Sequence, residues 1–118
     1  MSNLLITPEH KLALALDGPI SSDEGAHVAY LASQVPIGGT VVEIGTNEGK
    51  SACFMGFGLR RAGNTTAKIH CVDLWSLGGA TQQVNYRGAE KINRFERNVE
   101  QLGLKGVLIG HMIYLKPL

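Results

Sequence analysis

The chain has 118 residues, a formal net charge of +1 and 44% hydrophobic residues. That length suits one domain, is too short for two ordinary ones, and can bury a core without help from metals or disulfides. Near-neutral charge, with no local run of Lys or Arg, removes the electrostatic footprint of a nucleic-acid binder, and no apolar stretch reaches the about 18 residues of a membrane span. The opening Met1-Ser2-Asn3-Leu4-Leu5 lacks a basic n-region and is soon interrupted by Pro8 and Glu9, so no signal peptide is expected. Cys53 and Cys71 match no metal or disulfide framework, which points to a reduced, cytoplasmic setting and no bound metal.

The first element expected is a short helix, capped by Thr7, with Pro8 at its first position and Gly18 at its end. Ser21 and Glu24 have capping-box spacing for a second helix, whose apolar face is Val28, Leu31, Ala32 and Val35 and which Pro36 ends. After the Gly38-Gly39 turn, Thr40-Val41-Val42-Glu43-Ile44 is a β-branched run without alternation, as expected of a strand buried on both faces in a parallel sheet. A third helix runs from about Lys50 to Arg61, and Gly63-Asn64 stops it. Lys68 to Val72 is a second buried strand closed by Asp73-Leu74-Trp75, and Ser76 to Asn85 reads as a loop. From about Tyr86 to Leu102 an amphipathic helix puts Ala89, Ile92, Phe95, Val99 and Leu102 on one side and a solvated face of Lys91, Arg94, Arg97 and Glu100 on the other. Gly106 to Gly110 is the third strand. The order predicts an α/β fold: N-terminal helices, then a βαβαβ half of a Rossmann-like, doubly wound parallel sheet.

The chemistry is concentrated in the turn after the first strand. Gly45 and Gly49 bracket a strand-to-helix turn where a missing Cβ lets a ligand lie against the backbone. Glu43 at the strand end can accept a hydrogen bond from a cationic or hydroxyl-bearing ligand, and Thr46, Asn47 and Ser51 add polar contacts around the turn. Asp73 closes the next strand, where an acid in a Rossmann-type unit can bind the two hydroxyls of a ribose. A P-loop would need one more residue between its glycines than Gly45 and Gly49 enclose, and it would set Glu48 beside phosphates; it stays as the weaker alternative. The dinucleotide fingerprint is absent, since position 47 is Asn and position 50 is Lys.

Glu43-Ile44-Gly45-Thr46-Asn47-Glu48-Gly49 resembles motif I, Glu-x-Gly-x-x-x-Gly, of the class I S-adenosylmethionine-dependent methyltransferases, and Asp73 after Ile69-His70-Cys71-Val72 is similar to that family's acid at the second strand. The wider string, with Gly49-Lys50-Ser51 and Val72-Asp73-Leu74-Trp75, looks closest to the small-molecule O-methyltransferase-like branch. The resemblance covers about residues 20 to 110. It implies S-adenosyl-L-methionine as cofactor, with Gly45 and Gly49 against its methionine part and Glu43 near that part or ordering the loop. It further implies Asp73 on the ribose hydroxyls and Leu74 and Trp75 as apolar contacts to adenine. Where many relatives carry an acid for the adenine amino group, this chain has Gly110-His111-Met112, leaving His111 to make that hydrogen bond.

Each of these residues also has a plainer reading. Asp73 could cap the loop after its strand, Glu43 could pair with Lys50 or the backbone, and Trp75 could be core. His70 and His111 could be structural, and the two cysteines small buried hydrophobes.

The function implied is methyl transfer to a small-molecule acceptor, at oxygen; no catalytic base can be assigned. A family member's sheet continues beyond its first strand on the other side, so the chain is expected to be truncated after its third strand. Residues 1–36 would then be an N-terminal helical segment and 37–118 a partial cofactor-binding domain. The free edge of strand 40–44 is expected to be covered by another copy, making a homo-oligomer, or by a partner chain, the N-terminal helices or Tyr114 to Leu118. The rival from another class is a non-catalytic Rossmann-like module for nucleotide binding or self-assembly.

Overall fold

The structure is a computed structural model that describes residues 6–75 and 86–113, with residues 86–90 described by their backbone alone. The elements in chain order are α1 (Pro8–Leu14), α2 (Ser22–Ser33), β1 (Thr40–Ile44), α3 (Lys50–Arg61), β2 (Lys68–Asp73), α4 (Tyr86–Gln101) and β3 (Leu108–Met112). The expected α/β class and element order hold. The loop expected over Ser76 to Asn85 and the C-terminal residues Tyr114 to Leu118 lie outside the described residues.

Both N-terminal caps form as their side-chain chemistry dictates. Thr7 accepts from the His10 amide at 3.0 Å, and Ser21 and Glu24 exchange the two hydrogen bonds of a capping box. Helix α1 stops at Leu14, well short of Gly18, because the Asp17-Gly18-Pro19 turn ahead cannot continue it. On α2 the buried residues are Gly25, Ala26 and Ala32, while Leu31, expected on the apolar face, is exposed. The reason is how closely α2 lies on α3: a Cβ on Gly58 would come within 2.1 Å of the Ala29 carbonyl oxygen. Only small residues fit along that seam, so the bulky apolar residues of α2 are turned to its flanks.

The sheet is parallel, in the order β1-β2-β3, with Glu43 paired to Cys71 and Val72 to His111. Helices α3 and α4 both lie against the same side of it, since Gly56 of α3 meets Leu108 and Phe95 of α4 meets Gly110. Alternation follows. Ile69, Cys71 and Leu108 point into the helix layer and are buried, with Val41 and Glu43 of β1 on that same side. Val42, Ile44, His70, Val72, Ile109 and His111 form the opposite face. The expectation that β1 is buried on both faces is therefore corrected: Val42 is 61% and Ile44 82% exposed. Right-handed crossovers that all run in one direction along a sheet deposit every helix on one face. Strand β3 begins two residues later than expected, because the Val107 amide donates to the Leu104 carbonyl and closes a turn over Gly106.

Candidate functional site

The site grows from the carboxyl end of β1. The Gly45 amide donates to the Val72 carbonyl at 2.7 Å, so pairing with β2 continues one residue past the strand before the chain turns. Gly45 then adopts φ +82°, where L side chains are strained, and a Cβ built on it meets nothing within 4 Å among the described residues. Its backbone therefore borders open space at the carboxyl edge of a parallel sheet, the place where ligands of such sheets bind. Asn47 is also left-handed, with φ 56°. Gly49, at φ +91°, is the N-cap of α3, and no side chain caps the helix there. The Gly49 amide is used up within the turn, donating to the Thr46 carbonyl at 3.1 Å.

Asp73 ties this turn to the end of β2. Its Oδ2 accepts from the Asn47 amide at 2.6 Å, and its Oδ1 accepts from the Trp75 amide at 3.1 Å. The plainer reading of Asp73 as a loop cap is thus realised. Each carboxylate oxygen keeps a further lone pair, so the same group can still receive hydroxyl donors. Trp75 is only 4% exposed, packs on Phe95 with ring centroids 4.9 Å apart, and donates from Nε1 to the Asn47 carbonyl at 2.6 Å. It shapes the loop from the core side. Leu74 beside it is half-buried.

Beneath the turn lies Glu43. Its Oε2 accepts from the Ser51 hydroxyl, and its Oε1 is buried without a hydrogen-bond partner among the described residues. A carboxylate oxygen left so is costly and calls for a donor. The two thiols close to it feel that charge. Burial, then Cys71 and Glu43, push the Cys53 thiol up to about 12, and burial followed by Glu43 does the same for Cys71, opposed by a hydrogen bond with Thr46. Both cysteines are fully buried, as small hydrophobes of the core. Thr46 is buried too, with its hydroxyl 3.5 Å from the Glu43 carbonyl oxygen.

A third element reaches the turn, which the sequence reading missed. Arg94, assigned there to a solvated face of α4, bonds Glu48 Oε1 at 2.8 Å, and Asn98 donates to the Glu48 carbonyl at 3.0 Å. Phe95, between them, lies over Gly49, where a Cβ would approach its ring to 2.9 Å. The signal was present as an acid inside a glycine turn and an Arg and Asn one helical turn apart, but only the fold tells which helix meets which loop.

His111 is drawn elsewhere. Its Nε2 is 2.8 Å from His70 Nδ1, on the sheet face away from the helices, so it stands with His70 and outside the Asp73 network. Lys50 Nζ donates to the Gly18 carbonyl at 3.2 Å, which commits the lysine a P-loop would need to the segment between α1 and α2. Among the described residues there is no cluster of three or more His, Cys, Asp or Glu able to hold a metal, and no helix long and apolar enough to cross a membrane.

Glu43, Gly45, Asn47, Ser51 and Asp73 are thus brought together around one turn at the carboxyl edge of the sheet. No curated protein matches the chain. Residues 42–111, more than half of the chain, match the family model described as a methyltransferase domain, a span that contains that whole turn, Asp73 and α4, and the chain belongs to this methyltransferase family.

Proposed function

We propose that the β1–α3 turn binds S-adenosyl-L-methionine and that the chain serves methyl transfer to a small-molecule acceptor, at oxygen. The observation that carries this reading is Gly45, whose left-handed backbone borders open space next to the Asp73 carboxylate. Two further features fit the cofactor. The unpartnered Oε1 of Glu43 suits its ammonium group, and the spare lone pairs of Asp73 suit the ribose hydroxyls. When bound, the cofactor supplies an electrophilic methyl on a sulfonium. The chain's own part is to hold that group in line with an incoming oxygen and to shield it from water. Within this reading residues 37–118 are the cofactor-binding portion and residues 1–36 an N-terminal segment whose helices α1 and α2 pack on α3.

The test is calorimetry with S-adenosylhomocysteine. Binding is expected for the wild-type chain, lost in Gly45→Val and weakened about tenfold or more in Asp73→Asn, the worth of a charge-assisted hydrogen bond. A wild-type chain with no detectable binding at about millimolar ligand, near the weak limit of specific affinity, overturns it.

A second reading has an observation of its own. Val42 and Ile44 leave β1 with an exposed apolar face and, among the described residues, a free edge, which supports a self-assembling module whose partner is a second copy. The two readings are compatible, and their tests are separate.

A further inference from the structure

We propose that α4 is the positioning element of the cofactor turn, acting through Arg94, Phe95 and Asn98 on Glu48 and Gly49; this rests on the reading of that turn as the cofactor site. The turn contains three left-handed residues, Gly45, Asn47 and Gly49, and one of them is not glycine. The glycines take that backbone without strain but are also free to leave it, and Asn47 keeps it at a cost, so the turn's shape depends on what holds it from outside. Asp73 and Trp75 hold Asn47 at its amide and its carbonyl, which fixes the first half of the turn. Among the described residues, none from β2 or just after it holds the second half in the same way. That half is held from α4: the Glu48 side chain accepts from Arg94, the Glu48 main-chain carbonyl accepts from Asn98, and Phe95 lies on Gly49.

The geometry separates this from an ordinary surface ion pair. The side chain of Glu48 is 9% exposed, so its charge is largely out of water and depends on its partner, whereas Arg94 is 48% exposed. A buried carboxylate that lost Arg94 would turn toward solvent, and on the cofactor reading the open side of the turn is the side the ligand takes. Arg94 thus keeps an acid out of the site as well as fixing the backbone. Phe95 joins the two halves, because its ring also packs on Trp75, which donates to the Asn47 carbonyl. These residues touch the turn and are positioning residues; none is assigned to the reacting atoms.

The experiment measures S-adenosylhomocysteine affinity by calorimetry and amide exchange over residues 45–49, in the full chain. The variants are Arg94→Met, Glu48→Gln, the double variant and Arg94→Lys, with Arg97→Met, an exposed position on the same helix, as the control. Arg94→Met is expected to weaken binding about tenfold and to speed exchange in the turn, while Arg97→Met does neither. Adding Arg94→Met to Glu48→Gln should cost less than about twofold more, because the charge it restrains is already gone, and Arg94→Lys should restore part of the affinity. A merely stabilising role would lower the melting temperature without this coupling in affinity. Variants that bind within about twofold of wild type, with unchanged exchange in the turn, overturn the proposal. If the wild-type chain itself fails to bind, the cofactor reading falls. Accelerated exchange at residues 45–49 then still supports α4 as the holder of the turn, and unchanged exchange overturns it.

Discussion

Gly58 shows how a single hydrogen in place of a methyl sets the geometry of the helix layer. A Cβ there would stand 2.1 Å from the Ala29 carbonyl oxygen and 3.0 Å from the Ala29 Cα, so the obstacle is backbone and cannot rotate away. Intrinsic helix propensity argues that Gly58→Ala should stabilise α3 by about 1 kcal/mol. Overpacking argues for a loss of about 1–3 kcal/mol, and more where backbone must move. The second effect wins here, because parting α2 from α3 also lifts Phe54 off Gly25, where the ring fills the space a Cβ would need. Gly58→Ala is expected to lower the melting temperature by several degrees in a calorimetric scan, and an unchanged or raised value would contradict the packing described. The same scale holds the loop residues. Gly45 and Gly49 share a left-handed backbone, yet Gly45 faces open space and Gly49 faces Phe95, so two glycines alike in the sequence do different jobs. The sequence marks both as turn residues; only their neighbours separate a ligand-facing glycine from a packed one.

Among the elements, α1 carries the clearest pH dependence. His10 is 5% exposed, stacks at an angle on Phe54 with centroids 4.9 Å apart, and shares a 2.9 Å hydrogen bond between its Nε2 and the Ser22 hydroxyl. Burial lowers its pKa below the ordinary 6.5, with Asp23 pulling weakly the other way. The folded chain therefore keeps this ring neutral at a pH where the unfolded chain protonates it. Stability that depends on the neutral ring is complete above about pH 6.5 and is lost as pH falls from there through the lower folded value. Melting temperatures at about pH 7.5 and about pH 5 should thus differ more for wild type than for His10→Gln, which keeps a hydrogen-bonding group without the titration. Equal differences would show that α1 does not hold a neutral histidine in place. The elements themselves were largely legible: Thr7, Pro8, Ser21 and Glu24 mark helix starts through local hydrogen-bonding chemistry, which needs no tertiary partner. What was not legible depended on partners. Leu31 satisfies a helical apolar pattern but faces solvent, because the tight seam with α3 admits only Gly and Ala. Arg94 satisfies a polar-face pattern but reaches a buried acid, because the crossover from β2 lays α4 against the first turn.

For the whole molecule, the decisive feature is a sheet that, among the described residues, has helices on one side and a free edge at β1. Thr40 to Ile44 reads as a strand for a doubly covered sheet, β-branched and without polar alternation, and the motif at its end belongs to a methyltransferase family. In the structure Val42 and Ile44 project from the face that the described helices leave open, and α1 and α2 are packed on α3 in the opposite layer. An apolar strand with one face exposed and an unpaired edge is a template for association, since its free N–H and C=O groups and its side chains favour the same partner. A second copy can satisfy the edge: a two-fold axis beside β1 would pair two β1 strands antiparallel, with Val42 and Ile44 of the two copies becoming cross-strand neighbours on one continuous face. Light scattering across a concentration series is then expected to show wild-type self-association, and amide exchange to show protection along residues 40–44 that grows with it. Ile44→Lys, which leaves the helix-facing side of β1 untouched, should shift the chain toward monomer without lowering its melting temperature at dilution, because an exposed charge blocks edge pairing while the core loses nothing. A wild-type chain that stays monomeric at high concentration, with residues 40–44 exchanging freely, would remove the second copy as the occupant of this edge. It would leave the cofactor turn untouched, since the residues that shape that turn all come from the helix-covered side and the carboxyl end of the sheet.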